Sequence, residues 1–99
     1  MAFSNQQIDQ VWAKAQQAGS DNERNGYRKD ECGAWIRRSD YGDRGSNYGW
    51  EIDHIKAVAS GESDAIGNLR PLHWQNNAAK SDGRLACAIK SSGTQNIAA

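Results

Sequence analysis

The sequence predicts an α+β fold in which an N-terminal helix covers a small antiparallel sheet. Near the N-terminus, apolar residues recur at the spacing of one helix face, at Ile8, Val11, Trp12, Ala15 and Ala18. Further along, short apolar stretches alternate with segments rich in Gly, Ser, Asp and Asn, which is typical of strands joined by turns. A chain of 99 residues is the size of one domain, so we expect residues 1–99 to fold as a unit.

The N-terminal helix is predicted from about residue 4 to about residue 18. Ser4 is followed by Gln7 at the spacing of a capping box, and Gly19 stands where a left-handed residue often ends a helix. We expect the apolar stripe to cover the core of the domain itself, with a partner-binding helix as the alternative. The polar residues 19–30 are predicted to be a connection.

The strands are predicted in the middle of the chain. One is expected at residues 33–38 and another at residues 50–54, because the turn-rich segment 39–49 separates them. The predictions for the C-terminal half are a loop at 57–67, an extended piece at 69–72, a helical stretch at 73–80 closed by Asp82 and Gly83, and a frayed tail from Ser91.

The sequence excludes several classes of protein. No apolar run approaches the roughly 20 residues that cross a bilayer, so we expect no membrane span. The N-terminal residues lack the basic and apolar regions of a secretory signal, and a cytoplasmic location is therefore expected. Cys32 and Cys87 lie far apart and without C-x-x-C spacing, so we expect free, reduced thiols.

Chemically competent side chains concentrate between residues 49 and 82. Asp53 and His54 are adjacent, and Asn77 lies in the predicted helical stretch. Carboxylate and amide oxygens suit a hard divalent cation, and histidine is the side chain that titrates near neutrality, as a general base requires. If strand and helix pack together, this set places a cation beside a base, a combination suited to phosphodiester hydrolysis.

Three separated motifs carry a resemblance to a known family. They are DHI at residues 53–55, NLRPL at residues 68–72 and NNAAK at residues 76–80. Together they resemble the signature of the HNH endonuclease superfamily with its ββα-metal fold, in the small bacterial and phage type without the CxxC zinc pairs. The flanking text also resembles this type, so the resemblance covers most of residues 27–82. It implies a metal-dependent endonuclease that hydrolyses phosphodiester bonds of DNA.

The resemblance implies a role for each matching residue. His54 matches the general base that activates the attacking water, and Asp53 matches the carboxylate ligand of the metal. Asn68 matches the asparagine that braces the loop and holds the base, and Asn77 occupies the position of the second metal ligand. The implied cofactor is one divalent metal ion, with Mg²⁺, Mn²⁺, Ni²⁺ and Zn²⁺ left open.

Basic residues around the motifs are the candidates for nucleic-acid binding. Lys80 matches a frequent basic residue of the family on the same helix, and Arg70 and Lys56 stand close to the motifs. His73 and Asn76 stand where many family members have the second CxxC pair. For His73, contact with metal or substrate competes with a partly buried place at the helix start, and Asn76 is also interpretable as a helix cap.

The charge balance bears on the expected partners. The chain has 12 basic and 12 acidic side chains, whereas proteins that grip duplex DNA are usually basic overall. We expect DNA as the partner, with RNA left open, no membrane, and a protein partner that supplements weak binding. One compact motif predicts a monomer that nicks a single strand. The alternative is a non-catalytic nucleic-acid-binding or adaptor domain on the same scaffold.

Overall fold

The computed structural model describes residues 3–56, 64–80 and 84–99. Its helices are α1 (Asn5–Trp12), α2 (Ser20–Arg24) and α3 (Trp74–Ala78). Its strands are β1 (Tyr27–Lys29), β2 (Trp35–Arg37), β3 (Trp50–His54), β4 (Leu69–His73), β5 (Ile89–Ser92) and β6 (Gln95–Ala98). Within the described residues these strands pair antiparallel as β1–β2, β3–β4 and β5–β6, which confirms the predicted α+β class. None of the helices among the described residues is long and apolar enough to cross a membrane.

Helix α1 begins with the predicted capping box. Ser4 Oγ accepts a hydrogen bond from the backbone N–H of Gln7, and the Gln7 side chain accepts one from the backbone N–H of Ser4. The helix ends at Trp12, earlier than predicted, because Gln16 pairs with Lys29 in an antiparallel bridge. The extended backbone of this bridge is incompatible with a continued helix.

The apolar face of α1 covers the core, as predicted. The buried core cluster consists of Ile8, Val11 and Ala15 from the N-terminal segment and Ile36, Trp50 and Leu69 from the strands. The Trp12 ring packs on the Trp50 ring with centroids 5.2 Å apart, a contact that adds to the stabilisation from burial. This packing holds β3 and β4 against α1.

Residues 20–29 form α2 and β1, so the prediction of a simple connection is wrong. Gly19, at φ +98°, precedes α2 instead of ending α1. The Arg28 guanidinium fixes the segment, because it donates to the carboxylate of Glu23 and to the backbone carbonyl of Trp12. The carbonyl partner lies on another element, and local composition does not reveal such a contact.

Strands β3 and β4 and helix α3 form a continuous ββα unit. Strand β3 has the predicted bounds, and β4 extends one residue beyond the prediction, to His73. The His73 side chain then caps α3, since its Nδ1 accepts a hydrogen bond from the backbone N–H of Gln75 at 3.0 Å. Helix α3 ends at Ala78, slightly before the predicted end. The predicted closing pair at 82–83 and most of the predicted loop, at 57–63, lie outside the described residues.

A buried carboxylate organises the turn before β2, a strand that lies within the predicted residues 33–38. Asp30 is 3% exposed, and its Oδ1 accepts hydrogen bonds from two backbone N–H groups of that turn, each at 2.9 Å. Its Oδ2 accepts from the backbone N–H of His73 at 2.9 Å and from Asn76 Nδ2 at 3.0 Å. Asn76 Oδ1 in turn accepts from the backbone N–H groups of residues 88 and 89. These bonds join the turn, the ββα unit and the start of the C-terminal hairpin.

Cys32 and Cys87 form a disulfide with Cα atoms 5.5 Å apart, so the prediction of free, reduced thiols is wrong. The buried hydrogen bonds explain the pairing. Asp30 holds the backbone N–H of Cys32, while Asn76 holds the backbone N–H of Ala88, next to Cys87. Because Asp30 and Asn76 are bonded to each other, two cysteines that are distant in the sequence meet in space.

The C-terminal residues form the β5–β6 hairpin, so the prediction of a frayed tail from Ser91 is wrong. Trp35 attaches the hairpin, because its Nε1 donates to the Gly93 carbonyl at 2.7 Å. The Trp35 backbone also exchanges hydrogen bonds with the Asn96 side chain, at 2.7 and 2.9 Å. The small, polar composition of the tail indicates fraying, but partners on β2 supply the order.

Removal of the disulfide should destabilise the fold. A cross-link between residues 32 and 87 restricts the unfolded chain over a long loop, which typically contributes about 2–4 kcal/mol. We expect the double variant Cys32→Ser/Cys87→Ser to lose unfolding free energy of this order in urea denaturation followed by tryptophan fluorescence. The wild type in excess dithiothreitol is the control and should unfold like the variant. Equal urea midpoints for the oxidised wild type and the variant would contradict the disulfide.

Candidate functional site

Asp53 lies on β3 in the ββα unit, and its side chain is 5% exposed. Oδ2 accepts a hydrogen bond from Arg70 Nε at 2.7 Å, and Arg70 is its cross-strand neighbour in the β3–β4 register. Oδ1 accepts from Lys80 Nζ, which also donates to the His54 carbonyl at 3.1 Å. Asp53 therefore carries two cationic partners on one face of β3.

Glu51 lies two residues before Asp53 and therefore on the same face of β3. Its Oε1 accepts hydrogen bonds from Asn77 Nδ2 at 2.8 Å and from Arg44 at 2.9 Å, and its Oε2 accepts from Arg44 Nε at 2.7 Å. The hydrogen bond from Arg44 is the main reason that the pKa of Glu51 lies below its ordinary value, and the Asn77 bond adds to it. Helix α3 and the residues after it thus place Asn77 against Glu51 and Lys80 against Asp53.

His54 is the last residue of β3, and its side chain is 27% exposed. Nε2 lies 2.6 Å from Asp64 Oδ1, and the Phe3 ring lies beside the imidazole with centroids 6.1 Å apart. Because neighbouring residues of a strand point to opposite faces, this imidazole projects from the other face of β3 than the Asp53 carboxylate. Among the described residues, Nδ1 of His54 has no hydrogen-bond partner, which leaves this nitrogen able to accept a proton.

Asn68 joins the two ends of the segment between β3 and β4. Its Oδ1 accepts from the backbone N–H of Lys56 at 2.9 Å, and its Nδ2 donates to the Lys56 carbonyl at 3.1 Å. Its backbone carbonyl accepts from the N–H of Ile55, and its own N–H donates to the Ala65 carbonyl, both at 2.8 Å. These contacts have the form that bracing of the loop requires, while a part in catalysis stays a prediction.

The structure brings some of the candidate residues together and keeps others apart. Asp53, Lys80 and Arg70 form one charged cluster. The Asn77 side chain donates to Glu51, whereas the partners of Asp53 are Arg70 and Lys80, so the described contacts do not join the two candidate metal ligands directly. Their role as ligands stays a prediction.

His73 and Asn76 are buried, at 0% exposure, and serve the fold. Because His73 Nδ1 accepts a hydrogen bond, its Nε2 carries the proton and donates to the Asn47 carbonyl at 2.8 Å. The Asn76 side chain bonds to Asp30 and to the backbone of Ile89. Of the two interpretations of His73, the buried place at the helix start is the one that the structure shows.

The donor chemistry of the ββα unit fits a hard divalent cation. Asp53 supplies a carboxylate and Asn77 an amide oxygen, and ions of the Mg²⁺ type bind one or two such ligands while keeping water or phosphate at the other positions. In the part of the chain that the structure describes, no group of three or more His, Cys, Asp and Glu side chains is placed to hold an ion. An ion would also have to compete with Lys80 for Asp53 Oδ1.

Three further residues contact the candidate site but are not indicated by the sequence motifs, namely Glu51, Arg44 and Asp64. The alternation of side chains along a strand could have identified Glu51, since it shares a face with Asp53. Arg44 and Asp64 lie in segments expected to be turns or loops, where no local pattern shows which side chain they approach. Arg44 meets Glu51, and Asp64 meets His54, only in the folded structure.

A family model described as HNH endonuclease matches residues 30–83, which is more than half of the chain. The matched segment contains the complete ββα unit and all the candidate site residues. No curated protein and no solved structure matches the chain.

Stability should fall in mild acid because of His73. Burial lowers the pKa of His73 below its ordinary value of 6.5. The folded state favours the neutral form of this histidine. Its contribution to stability is therefore complete above the pKa of the unfolded state and is lost as the pH falls below about 6.5. We expect urea denaturation between about pH 7 and pH 5 to show a decreasing free energy of unfolding, with up to about 1.4 kcal/mol per pH unit from this residue.

The matched control for this prediction is His73→Asn. Asparagine also caps helices but does not titrate. The variant should be less stable than the wild type, because the bond to the Asn47 carbonyl is lost, yet its stability should depend less steeply on pH. Identical pH slopes for the two proteins would show that His73 is not the titrating group.

Proposed function

We propose that this chain, which belongs to the HNH endonuclease family, is a metal-dependent endonuclease that hydrolyses phosphodiester bonds of DNA. The ββα unit carries the proposal, because in it the partly exposed imidazole of His54 directly follows the carboxylate of Asp53. Phosphodiester hydrolysis needs a base for the attacking water and positive charge to stabilise the phosphate in the transition state. His54 would supply the base, and Asp53 would help to hold the cation that supplies the positive charge. The two residues are adjacent at the end of one strand, with side chains on its opposite faces.

His54 is the proposed general base. Its Nδ1 has no partner among the described residues and is therefore suited to take a proton from the attacking water. Histidine is the side chain best suited to this transfer near neutral pH. Asn68 is the proposed brace, because its bonds to Lys56 fix the backbone two residues after the base.

Asp53 and Asn77 are the proposed ligands of one divalent metal ion. When bound, the ion stabilises negative charge on the phosphate and on the leaving oxygen. Lys80 already donates a hydrogen bond to Asp53 Oδ1, so an ion held by Asp53 would compete with this ammonium. A Lys80 side chain displaced in this way would be free to bind a phosphate of the substrate.

Of the three basic residues that the sequence suggests for nucleic-acid binding, Lys80, Arg70 and Lys56, we propose this role for Lys80 and Lys56. Lys56 is exposed just after β3, whereas Arg70 is nearly buried between Asp53 and Glu31. We therefore assign Lys56 to the attraction of the phosphate backbone and Arg70 to the charge balance around Asp53. Basic and acidic side chains are equal in number, so the chain alone should bind DNA weakly. We therefore propose a protein partner that adds affinity for DNA.

The proposed product is a single-strand nick. One base and one pair of metal ligands in a monomer cut one strand in each encounter.

The Cys32–Cys87 disulfide bears on the compartment in which the protein acts. It favours an oxidising environment over the cytoplasm that the sequence predicts.

A non-catalytic nucleic-acid-binding or adaptor domain is the second candidate function. The pairing of Asp53 with both Arg70 and Lys80 favours it, because the carboxylate is already neutralised without a metal ion. The two candidates differ in whether a divalent ion binds and whether the phosphodiester bond is cut.

Replacement of the base should remove cleavage and leave DNA binding intact. We expect His54→Ala to nick supercoiled plasmid about 10²–10⁴-fold more slowly than the wild type in Mg²⁺ or Mn²⁺. With the wild type, open circles should appear before linear DNA. Gel electrophoresis measures the products, and a gel shift on the same DNA measures binding.

The control for this experiment is Asp9→Asn. This change removes an exposed carboxylate that pairs with Arg38 outside the ββα unit, and the variant should cleave like the wild type. Unchanged cleavage by purified His54→Ala would reject His54 as the base. A wild type that binds DNA but cuts it with neither ion would favour the adaptor.

Ion binding should respond in opposite directions to changes at Asp53 and Lys80. We expect Asp53→Asn to weaken Mn²⁺ binding about tenfold or more, because a charged ligand is lost. Lys80→Met should strengthen binding, because it removes the ammonium that competes for Asp53 Oδ1. Asn77→His should bind better than Asn77→Ala. Calorimetric titration measures all four, and equal affinities would contradict the proposed ligands.

A further inference from the structure

Asp64 lies against the proposed base, with Oδ1 at 2.6 Å from His54 Nε2. We propose that Asp64 is a positioning residue that fixes the orientation and the tautomer of His54. The catalytic consequence of this inference rests on the proposed function, whereas the contact itself can be measured without any cleavage.

The chemistry of the pair assigns the proton. An ionised carboxylate only accepts hydrogen bonds, so Nε2 of His54 must carry the hydrogen in this contact. A neutral imidazole has one N–H group and one lone pair. The lone pair therefore lies on Nδ1, the nitrogen without a partner among the described residues. Asp64 thereby selects the form of His54 in which Nδ1 can act as a base.

The fold brings Asp64 to this place through Asn68. The side chain of Asn68 holds both backbone groups of Lys56, two residues after His54. The backbone N–H of Asn68 holds the carbonyl of Ala65, the residue after Asp64. The two ends of the segment between β3 and β4 are thus drawn together, with His54 near one end and Asp64 near the other. Bracing by Asn68 reaches the base through this contact.

An aromatic ring restricts the movement of the imidazole on a second side. Phe3 lies beside it with ring centroids 6.1 Å apart, while the backbone of His54 is paired with Leu69 in the β3–β4 register. The backbone position is therefore set by the sheet, and Phe3 and Asp64 restrict the rotation of the ring. Among these contacts, Asp64 alone distinguishes one ring nitrogen from the other.

An ion pair without function is the alternative explanation. The side chains of His54 and Asp64 are 27% and 36% exposed, and pairs this accessible to solvent contribute little to stability. We therefore expect Asp64→Ala to leave the urea midpoint of unfolding nearly unchanged. A positioning role differs from such a pair because it alters the imidazole and the turnover of the enzyme.

The test combines spectroscopy of the imidazole with cleavage kinetics. In ¹H–¹⁵N spectra at about pH 8.5, where imidazoles are mostly neutral, the wild type should show a downfield Nε2–H signal of His54, assigned by its loss in His54→Ala. Asp64→Ala should lose this signal to solvent exchange, and Asp64→Glu should retain it in part. Asp9→Asn, which removes a carboxylate elsewhere, should leave it unchanged.

Cleavage kinetics are measured on the same variants and on Asp64→Asn. Replacing the aspartate of a buried catalytic triad by asparagine lowers kcat about 10⁴-fold. Because the His54–Asp64 pair is partly exposed, we expect a smaller loss for Asp64→Ala and Asp64→Asn, about 10–100-fold in kcat with little change in KM. Asp64→Glu should recover part of the rate.

The outcomes separate this inference from the proposed function. Loss of the signal together with the fall in kcat supports the positioning role. A signal that Asp64→Ala leaves unchanged overturns it, and a lost signal with an unchanged kcat overturns its catalytic consequence. If the wild type cuts no DNA, the proposed function fails, and the spectra alone then support or overturn the control of His54 by Asp64.

Discussion

The buried carboxylate of Asp30 holds together three parts of the chain that are distant in sequence. A charge without water is tolerated only where hydrogen bonds replace hydration, and Asp30 receives them from its own turn, from His73 and from Asn76. Asn76 extends the network to residues 88 and 89. Loss of one partner would leave a buried polar group without a hydrogen bond, which typically costs about 1–3 kcal/mol. Each hydrogen bond of the network therefore depends on the others.

This network supports the candidate site without touching a substrate. His73 ends β4 and caps α3, and Asp30 holds its backbone N–H, so the direction in which α3 leaves the sheet is set from the interior. That direction brings Asn77 to Glu51. In the resemblance to the HNH family, His73 and Asn76 stand where many members have the second CxxC pair. Here hydrogen bonds join His73 and Asn76 to Asp30 and Asn76 to Ala88, and the Cys32–Cys87 disulfide lies beside these bonds.

The sequence predicts those features whose causes are local. The capping box at Ser4 and strand β3 depend on neighbouring residues, and both are predicted correctly. Arg28 and Trp35 order α2–β1 and the C-terminal hairpin through partners on other elements, and both segments are predicted wrongly. The site follows the same rule. The motifs indicate His54 by its neighbours in the sequence, whereas Asp64 lies ten residues further along the chain and meets His54 only in the folded structure.

The disulfide turns the middle of the chain into a covalent ring. Between Cys32 and Cys87 lie β2 and the complete ββα unit, with both ends of the segment that joins β3 to β4. A single backbone cut inside the ring opens it but does not divide the molecule, because the two fragments remain joined through sulfur. After one proteolytic cut of this kind, the protein would gain only the mass of one water and would remain a single molecule until it is reduced, with Asp53, His54 and Asn77 still covalently connected.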